Sequence, residues 1–341
     1  MRWLSFSLVI FLCWASSLKA LSWDKTLASA SRRIVTIIAQ QVKADYLWGQ
    51  DLPQGVGTGF VVDQSGYVLA PALLVRKAKW IEAVLPDGSH CGATLIGIDY
   101  FSEVALLKLK TSAKLRPLPF SHQRPMVGEE VALISRPRCR LAVAMGCIEE
   151  WPTAIRHQGF LVPDMIAANL SLARTGQGPV INLRGEVIGL AIDLPNFRYN
   201  RGLYLVPANR LKRAYQMLKE NQEAVWPWLG VRVQAITPPL AKALRLPVSQ
   251  GAMVVEVYRG SPAAKVGFHG GRRLLSVGNL IYQVGGDIIT SIDGQVVRSE
   301  YDLSRIILNK EAGDEIQIIY YRGKRRGSVK LHLGRRMFIQ P

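Results

Sequence analysis

Between about residues 32 and 206 the chain repeats one pattern: short apolar alternations closed by turn pairs, with no long helical period among them. Gly59 to Val62, Tyr67 to Ala70, Trp80 to Leu85, Ala93 to Ile98, Val104 to Leu109 and Val131 to Ile134 read as strands. Asp63-Gln64-Ser65-Gly66 and Asp87-Gly88 supply the tight turns. Strands at this spacing predict a mainly β chain whose first domain is a barrel or a sandwich. The pattern breaks at 207–224, where Pro207 precedes Leu211, Tyr215 and Leu218 at helical spacing. Trp226-Pro227 then marks a boundary, and about 227–336 reads as a small α+β unit. Its strands are Gly230–Val233, Met253–Tyr258, Asp287–Ile292, Glu315–Tyr321 and Gly327–Leu333. Its helices are Pro238 to Leu244, Glu300 to Leu308 and a short turn opened by Pro262. A length of 341 residues fits two such domains.

The first twenty residues carry a different signal. Arg2, the apolar run Trp3 to Trp14, and Ala15 to Ala20 read as a secretory signal peptide, with an uncleaved N-terminal anchor as the alternative. That predicts export to the periplasm or cell envelope. Export permits disulfides, and the segment after residue 20 keeps Cys91, Cys139 and Cys147. Cys139 and Cys147 could bridge a hairpin, or all three could stay reduced. No CxxC spacing or short His/carboxylate cluster points to a metal, and no cofactor is expected.

Charge is the unusual part of the composition. Lys and Arg number 43 against 25 Asp and Glu, a net +18. The excess is even: +9 over 1–225 (26 against 17) and +9 over 226–341 (17 against 8). A nucleic-acid tail would concentrate it, so nucleic acid is not the expected partner. An anionic membrane or envelope surface competes with plain solubility, and Arg322, Lys324, Arg325 and Arg326 form one candidate cluster.

Several ordered blocks resemble the HtrA-type (DegP-like) trypsin-fold serine proteases with a C-terminal PDZ domain, from about Ser31 to Gly334. They are Gly57-Thr58-Gly59-Phe60 through Leu69, Pro86-Asp87-Gly88 through Lys108, Gly178-Pro179-Val180 through Gly189, Tyr204-Leu205-Val206-Pro207, and Trp228-Leu229-Gly230-Val231. The resemblance implies a trypsin-like double β-barrel followed by a PDZ domain. The expected layout is a signal peptide over 1–20, an N-terminal segment over 21–54, the barrels over 55–225 and the PDZ domain over 226–336.

It also implies where a triad should stand, and the triad is missing. The family's Thr-Asn-Ala-His-Val-Val is here Ala70-Pro71-Ala72-Leu73-Leu74-Val75, so Leu73 occupies the general base's place. Glu103 stands where the family has Asp, and Gly176 replaces the nucleophile in Arg174-Thr175-Gly176-Gln177-Gly178-Pro179. Acyl transfer needs an activated hydroxyl, a base and an orienting group, and two of these positions carry no functional atom. Arg174, at a Gly position of the family, casts doubt on the oxyanion hole, and Leu203 and Leu205 are expected to fill part of the substrate cleft. Substitute nucleophiles would be Ser171, Thr175 or Cys139, with His90, His122 and His157 elsewhere in the same domain. No spacing couples them, and His90 and Cys91 on one strand would face opposite sides.

The second domain keeps its features. The resemblance places a peptide's C-terminal carboxylate on the amides around Trp228, Leu229 and Gly230, with Leu229, Val231 and Val233 shaping an apolar pocket. An insertion, His269 to Val284, carries Arg272 and Arg273; similar insertions occur in some relatives of that family. The expected function is thus an exported pseudoprotease that binds protein C-termini or unfolded segments. Oligomers, with itself or with an active relative, are possible because relatives form trimers. The alternatives are a serine-type endopeptidase with a non-standard site and an anion-binding envelope protein.

Overall fold

The structure, a computed structural model, describes residues 23–41, 54–157, 159–173, 175–193, 198–199 and 202–336. The signal peptide expected over 1–20 and the side chain of Arg174 lie outside the described residues. The chain divides into two compact units, one of 1–153 with 165–224, the other of 154–164 with 225–341.

The first unit opens with helix α1 (residues 23–31). Strands β1 (Ile34–Gln41), β2 (Gln54–Val61) and β3 (Tyr67–Pro71) follow, then helix α2 (Ala72–Val75), β4 (Ala78–Val84), β5 (His90–Asp99) and β6 (Val104–Leu109). These six strands close a barrel in the order β1-β2-β3-β6-β5-β4. Inward positions of successive strands supply its core: Val35, Ile37 and Ala39 from β1, Val68 and Ala70 from β3, Ala105, Leu107 and Leu109 from β6. That alternation is the period-2 signal of the sequence turned into a filled interior.

Strands β7 (Glu130–Ser135), β8 (Ala142–His157), β9 (Phe160–Ala168), β10 (Gly178–Ile181), β11 (Val187–Ala191), β12 (Arg198–Tyr199) and β13 (Gly202–Pro207) form the second sheet. A β11–β13 pairing closes the ring, with β12 lying outside it beside β13, so it too is a barrel. The chain then enters helix α3 (Ala208–Asn221), which buries Leu211, Ala214 and Leu218. Gln222 ends α3 in the left-handed region at φ 60°, and its carbonyl lies so close to Gly97 that no Cβ fits there. The Asp63 turn fastens the same helix: its carboxylate accepts from Tyr215 Oη at 2.7 Å and Lys219 Nζ at 3.0 Å. Burial alone would raise the Asp63 pKa, but the bonds from Tyr215, Ser65, Lys219 and the Tyr67 amide outweigh it and hold the carboxyl well below its usual range.

The second unit contains β14 (Trp226–Trp228), β15 (Val231–Ala235), α4 (Pro238–Leu244), β16 (Ala252–Val257), α5 (Pro262–Lys265), β17 (Arg273–Val277), β18 (Leu280–Val284), β19 (Ile288–Ile292), β20 (Gln295–Val296), α6 (Glu300–Leu308), β21 (Glu315–Arg322), β22 (Arg325–His332) and β23 (Gly334–Arg336). Its main sheet runs β15-β16-β19-β21-β22, with β20 beside β19. One apolar cluster gathers Val233, Val254, Ile289 and Ile318 with Leu303, Ile306 and Ile307 of α6. The other gathers Met253 and Ile288 with Leu240 and Ala241 of α4 and with Leu275, Val277 and Tyr282 of the β17–β18 hairpin. The expected helices Pro238 to Leu244 and Glu300 to Leu308 occur with those limits, each opened by a hydroxyl cap, Thr237 and Ser299.

The structure adds two details to the sequence reading. The layout with barrels over 55–225 assigned the β8–β9 tip to the first domain, whereas Ala154–Asp164 groups with the second unit, and His157 with it. There Tyr301 Oη donates to Asp164 Oδ1 at 2.6 Å, and Arg156 makes two bonds to Glu300, at 3.1 and 2.5 Å. The bridge between Cys139 and Cys147 is not made; both are free thiols. Ser135 pairs with Ala142 and Glu130 with Cys147, so Cys147 stands five register steps from the end of the hairpin that holds Cys139. That is about 17 Å of strand, beyond disulfide reach.

Candidate functional site

Leu73 lies on α2, directly after Pro71-Ala72, with 43% of its surface exposed. An aliphatic side chain thus sits in the open at the position where the resemblance would place a base. Glu103 is buried and takes φ 53°, an uncommon conformation for a residue with a side chain. Its carbonyl accepts from Ala72 N at 2.9 Å, which ties this turn to α2. Its carboxylate pairs with Arg76 Nη2 at 2.5 Å, with side-chain exposures of 3% and 14%. Arg76 also lies 5.4 Å from the Tyr100 ring centroid. Sequence reasoning missed Arg76, which stands at the C-terminal cap of α2.

At Gly176 the backbone takes φ 67°, and a Cβ there would meet nothing within 4 Å. Its N–H, the group that would be an oxyanion donor at a nucleophile position, donates to Leu172 O at 2.9 Å. Neighbouring hydroxyls serve the loop. Thr175 is 2% exposed and its Oγ1 donates to Ser171 O at 3.1 Å, while Ser135 Oγ donates to Thr175 O at 2.5 Å. Ser171 is exposed, and its Oγ accepts from Ala173 N at 3.3 Å. Cys139 is exposed in a 3-10 turn. Among the described residues no hydrogen bond joins Ser171, Thr175 or Cys139 to a histidine.

Leu203 and Leu205 are not in a cleft. They are 4% and 0% exposed and belong to the core of the second barrel, opposite Ala168 and Ile166. Strand alternation sends both to the same side, and that side is the interior. His90 faces out, with Nδ1 2.5 Å from Glu82 Oε1, while Cys91 packs against the first barrel's core. Burial, then the charges of Glu82 and Asp87, push the Cys91 thiol up, which disfavours the reactive thiolate. Ile38, Trp80, Ile81, His90 and Cys91 line an open cleft of about 450 Å³, which includes none of Leu73, Glu103 or Gly176. Among the described residues no group of three or more His, Cys, Asp or Glu could hold a metal ion. No helix among them is long and apolar enough to cross a membrane.

The second unit offers a different kind of place. Trp228 ends β14, paired with Gly334, and its ring lies 6.0 Å from that of Tyr258. Leu229 O accepts from Ala263 N, and Gly230 O accepts from Tyr258 N and Ser261 Oγ. The carbonyls are thereby fixed, while the N–H groups of Leu229 and Gly230 have no acceptor among the described residues. Gly230 takes φ 84°, and a Cβ there would stand 2.0 Å from Ser261 Cβ. Adjacent β15 is an edge strand, hydrogen-bonded only to β16 in its sheet. Leu229 and Val233 are buried with Leu303, Ile306 and Ile307 of α6, and Val231 packs against that cluster half-buried. All five residues singled out, Trp228, Leu229, Gly230, Val231 and Val233, are thus consecutive parts of one turn and strand. An open strand edge beside free amides is the chemistry of peptide and carboxylate capture.

Comparison with known proteins agrees with this division. Residues 57–190 match the trypsin-like peptidase domain family and residues 227–333 the PDZ domain family. A probable periplasmic serine endoprotease DegP-like of Rhizobium meliloti (strain 1021) is 26% identical over 290 residues, covering 84% of this chain and 54% of the relative. The periplasmic pH-dependent serine endoprotease DegQ of Escherichia coli (strain K12) is 28% identical over 286 residues, covering 80% and 59%. The chain therefore spans little more than half the length of these curated relatives. Among solved structures, the HtrA-type protease AlgW with tripeptide superposes with a TM-score of 0.73 at 21% identity, covering 93% of this chain and 98% of the other. The serine endoprotease from Yersinia pestis gives 0.66 at 17%, covering 92% and 98%. At these identities the structural likeness establishes the fold.

Proposed function

The chain belongs to the HtrA-like family of trypsin-fold proteins with a C-terminal PDZ domain, and we propose that it is a non-catalytic member of that family, exported to the periplasm, which binds peptide segments. The relatives are named as periplasmic serine endoproteases, and the proposal keeps their compartment and scaffold without their chemistry. The carrying observation is the pair Leu73 and Gly176: no atom at the first position accepts a proton, and none at the second attacks a carbonyl. Occupation of the Gly176 N–H by Leu172 O supports the same reading, because acyl transfer draws much of its rate enhancement from donors held ready for the oxyanion. Binding is assigned to the free amides of Leu229 and Gly230 and to the edge of β15, which together accept a C-terminal carboxylate and extend the sheet by one strand.

A serine-reactive phosphonate probe and casein digestion test the first half on purified full-length chain. The expected outcome is no labelling and no turnover above a heat-denatured control; turnover above it overturns the reading. Display of random C-terminal peptides against the same chain tests the second half. Enrichment of a class with a free carboxylate is expected, and enrichment that survives C-terminal amidation contradicts it.

A further inference from the structure

The β17–β18 hairpin does something that peptide capture does not use. Its inward residues Leu275, Val277 and Tyr282 hold it to the sheet through the α4-side cluster. Its exposed residues are apolar as well: Leu274, Leu280 and Ile281 are 75%, 60% and 72% exposed. Strand register explains how they assemble. Leu274 opposes Gln283 and Ser276 opposes Ile281, so Leu274 and Ile281 are diagonal neighbours on one face. Leu280 stands at the end of the ladder opposite Val277, and Gly278, at φ 59°, opens the two-residue turn between them. The ribbon therefore presents three aliphatic side chains at its outer face and tip.

Its surroundings are basic. Residues 238–284 contain Lys242, Arg245, Arg259, Lys265, Arg272 and Arg273 against a single acid, Glu256. Arg232 holds Glu256 at 3.0 Å. Arg272 shares the outer face with Leu274 by strand alternation, and Arg273 begins β17. Lys242 and Arg245 sit on and just beyond α4, which packs against the hairpin's inner side. All four are exposed, and none of them forms an ion pair among the described residues. Arg326 opposes Tyr321, which packs in the same cluster as the hairpin, so this cation also lies on that sheet face.

We propose that this hairpin is a membrane finger: Leu274, Leu280 and Ile281 insert among the headgroups of an anionic bilayer, while Lys242, Arg245, Arg272 and Arg273 bind its phosphates. Geometry and charge both select this occupant. A stable protein interface takes about 800 Å² from each partner, and a ribbon two strands wide, about 5 Å apart, offers little of that. Interfacial insertion needs only a narrow apolar tip reaching about 5–10 Å below the headgroups, with cations placed around it. The site is separate from the Leu229–Gly230 turn, so the inference does not depend on peptide binding.

Co-sedimentation of the full chain with vesicles tests it, comparing pure phosphatidylcholine with an equal mixture of phosphatidylcholine and phosphatidylglycerol. Binding to the anionic vesicles should exceed binding to the neutral ones at least about tenfold and should fall as salt rises from about 0.1 M to 0.5 M. The Leu280→Ser/Ile281→Ser variant should bind about tenfold more weakly, and Arg272→Gln/Arg273→Gln about fivefold or more. All chains carry the same N-terminal apolar run, so differences between them read the finger alone. The substituted side chains are exposed, and an unchanged thermal melt verifies the fold. Equal binding to both vesicle types overturns the proposal. Loss on removing the arginines but not the aliphatic residues would mark a site for soluble polyanions and also overturns it.

Discussion

Two loops, each turning on a glycine with positive φ, use their backbone in opposite ways. At Gly176 the N–H is consumed by Leu172 O, and the space where a side chain would stand is open. At Gly230 the N–H has no acceptor among the described residues, and the space for a side chain is filled by Ser261. The first loop spends the Gly176 N–H on its own turn and keeps room beside it that it does not use. The second holds its carbonyls rigid through Tyr258 and Ser261 while leaving donors pointed outward. Preorganised, unsatisfied donors are what a binding or catalytic site requires; a loop that satisfies itself is only structure.

If the first loop region is now structural, its remaining charges should matter to stability. Glu103 and Arg76 are nearly enclosed, and removing Arg76 takes away the cation paired with a buried carboxylate. Arg76→Ala should destabilise the first barrel by about 3 kcal/mol, the largest effect expected here. Hydrogen exchange at β3 and β6 reads it within that unit. Adding Glu103→Leu should restore part of the loss, since both substitutions act on one ion pair. Unchanged protection in Arg76→Ala would mean that the pair is incidental.

The second loop should fail differently. Gly230→Ala forces a Cβ to 2.0 Å from Ser261 Cβ and a side chain into φ 84°. Backbone strain and overpacking together should cost about 2–3 kcal/mol, read as faster exchange in β15 and α5, and carboxylate-peptide binding should disappear with the nest. Ser261→Gly on that background relieves the clash but removes the α5 cap to Ala264 N, so recovery should be partial. Retained peptide affinity in Gly230→Ala would break the claimed difference between the loops.

How much of this was readable in the sequence follows the range of the interactions. Strands such as Val104–Leu109 and helices such as Glu300–Leu308 announce themselves through local period and caps, and the structure has them with those limits. Leu73 and Gly176 were placed at triad positions only through the family resemblance of their ordered neighbours. Long-range partners were not. The Arg76–Glu103 pair joins positions 27 residues apart, the donation from Gly176 N depends on the local turn, and Leu203 and Leu205 looked available for a cleft until register sent them inward. The β8–β9 tip and the β17–β18 ribbon carry exposed or mixed side chains, so neither showed the clean alternation of a half-buried strand.

The smallest effect provides the strictest comparison. Gly176→Ser adds the hydroxyl that the family resemblance expects there, where a Cβ meets nothing within 4 Å, so packing does not oppose it. The backbone does: φ 67° costs a residue with a side chain about 1–2 kcal/mol. With Leu73→His and Glu103→Asp added, all three side chains of a triad are present. Serine-probe labelling should nevertheless stay at background, because the residue 176 N–H still ends on Leu172 O and Arg76 still competes for the carboxylate that should orient the ring. Labelling of the triple variant would show that the loop reorganises when the side chains return, and that side-chain loss alone separates the two loops. Absence of labelling, with the fold intact by thermal melt, would place the difference in the backbone itself, where an amide is either spent on its own turn or held out for a ligand.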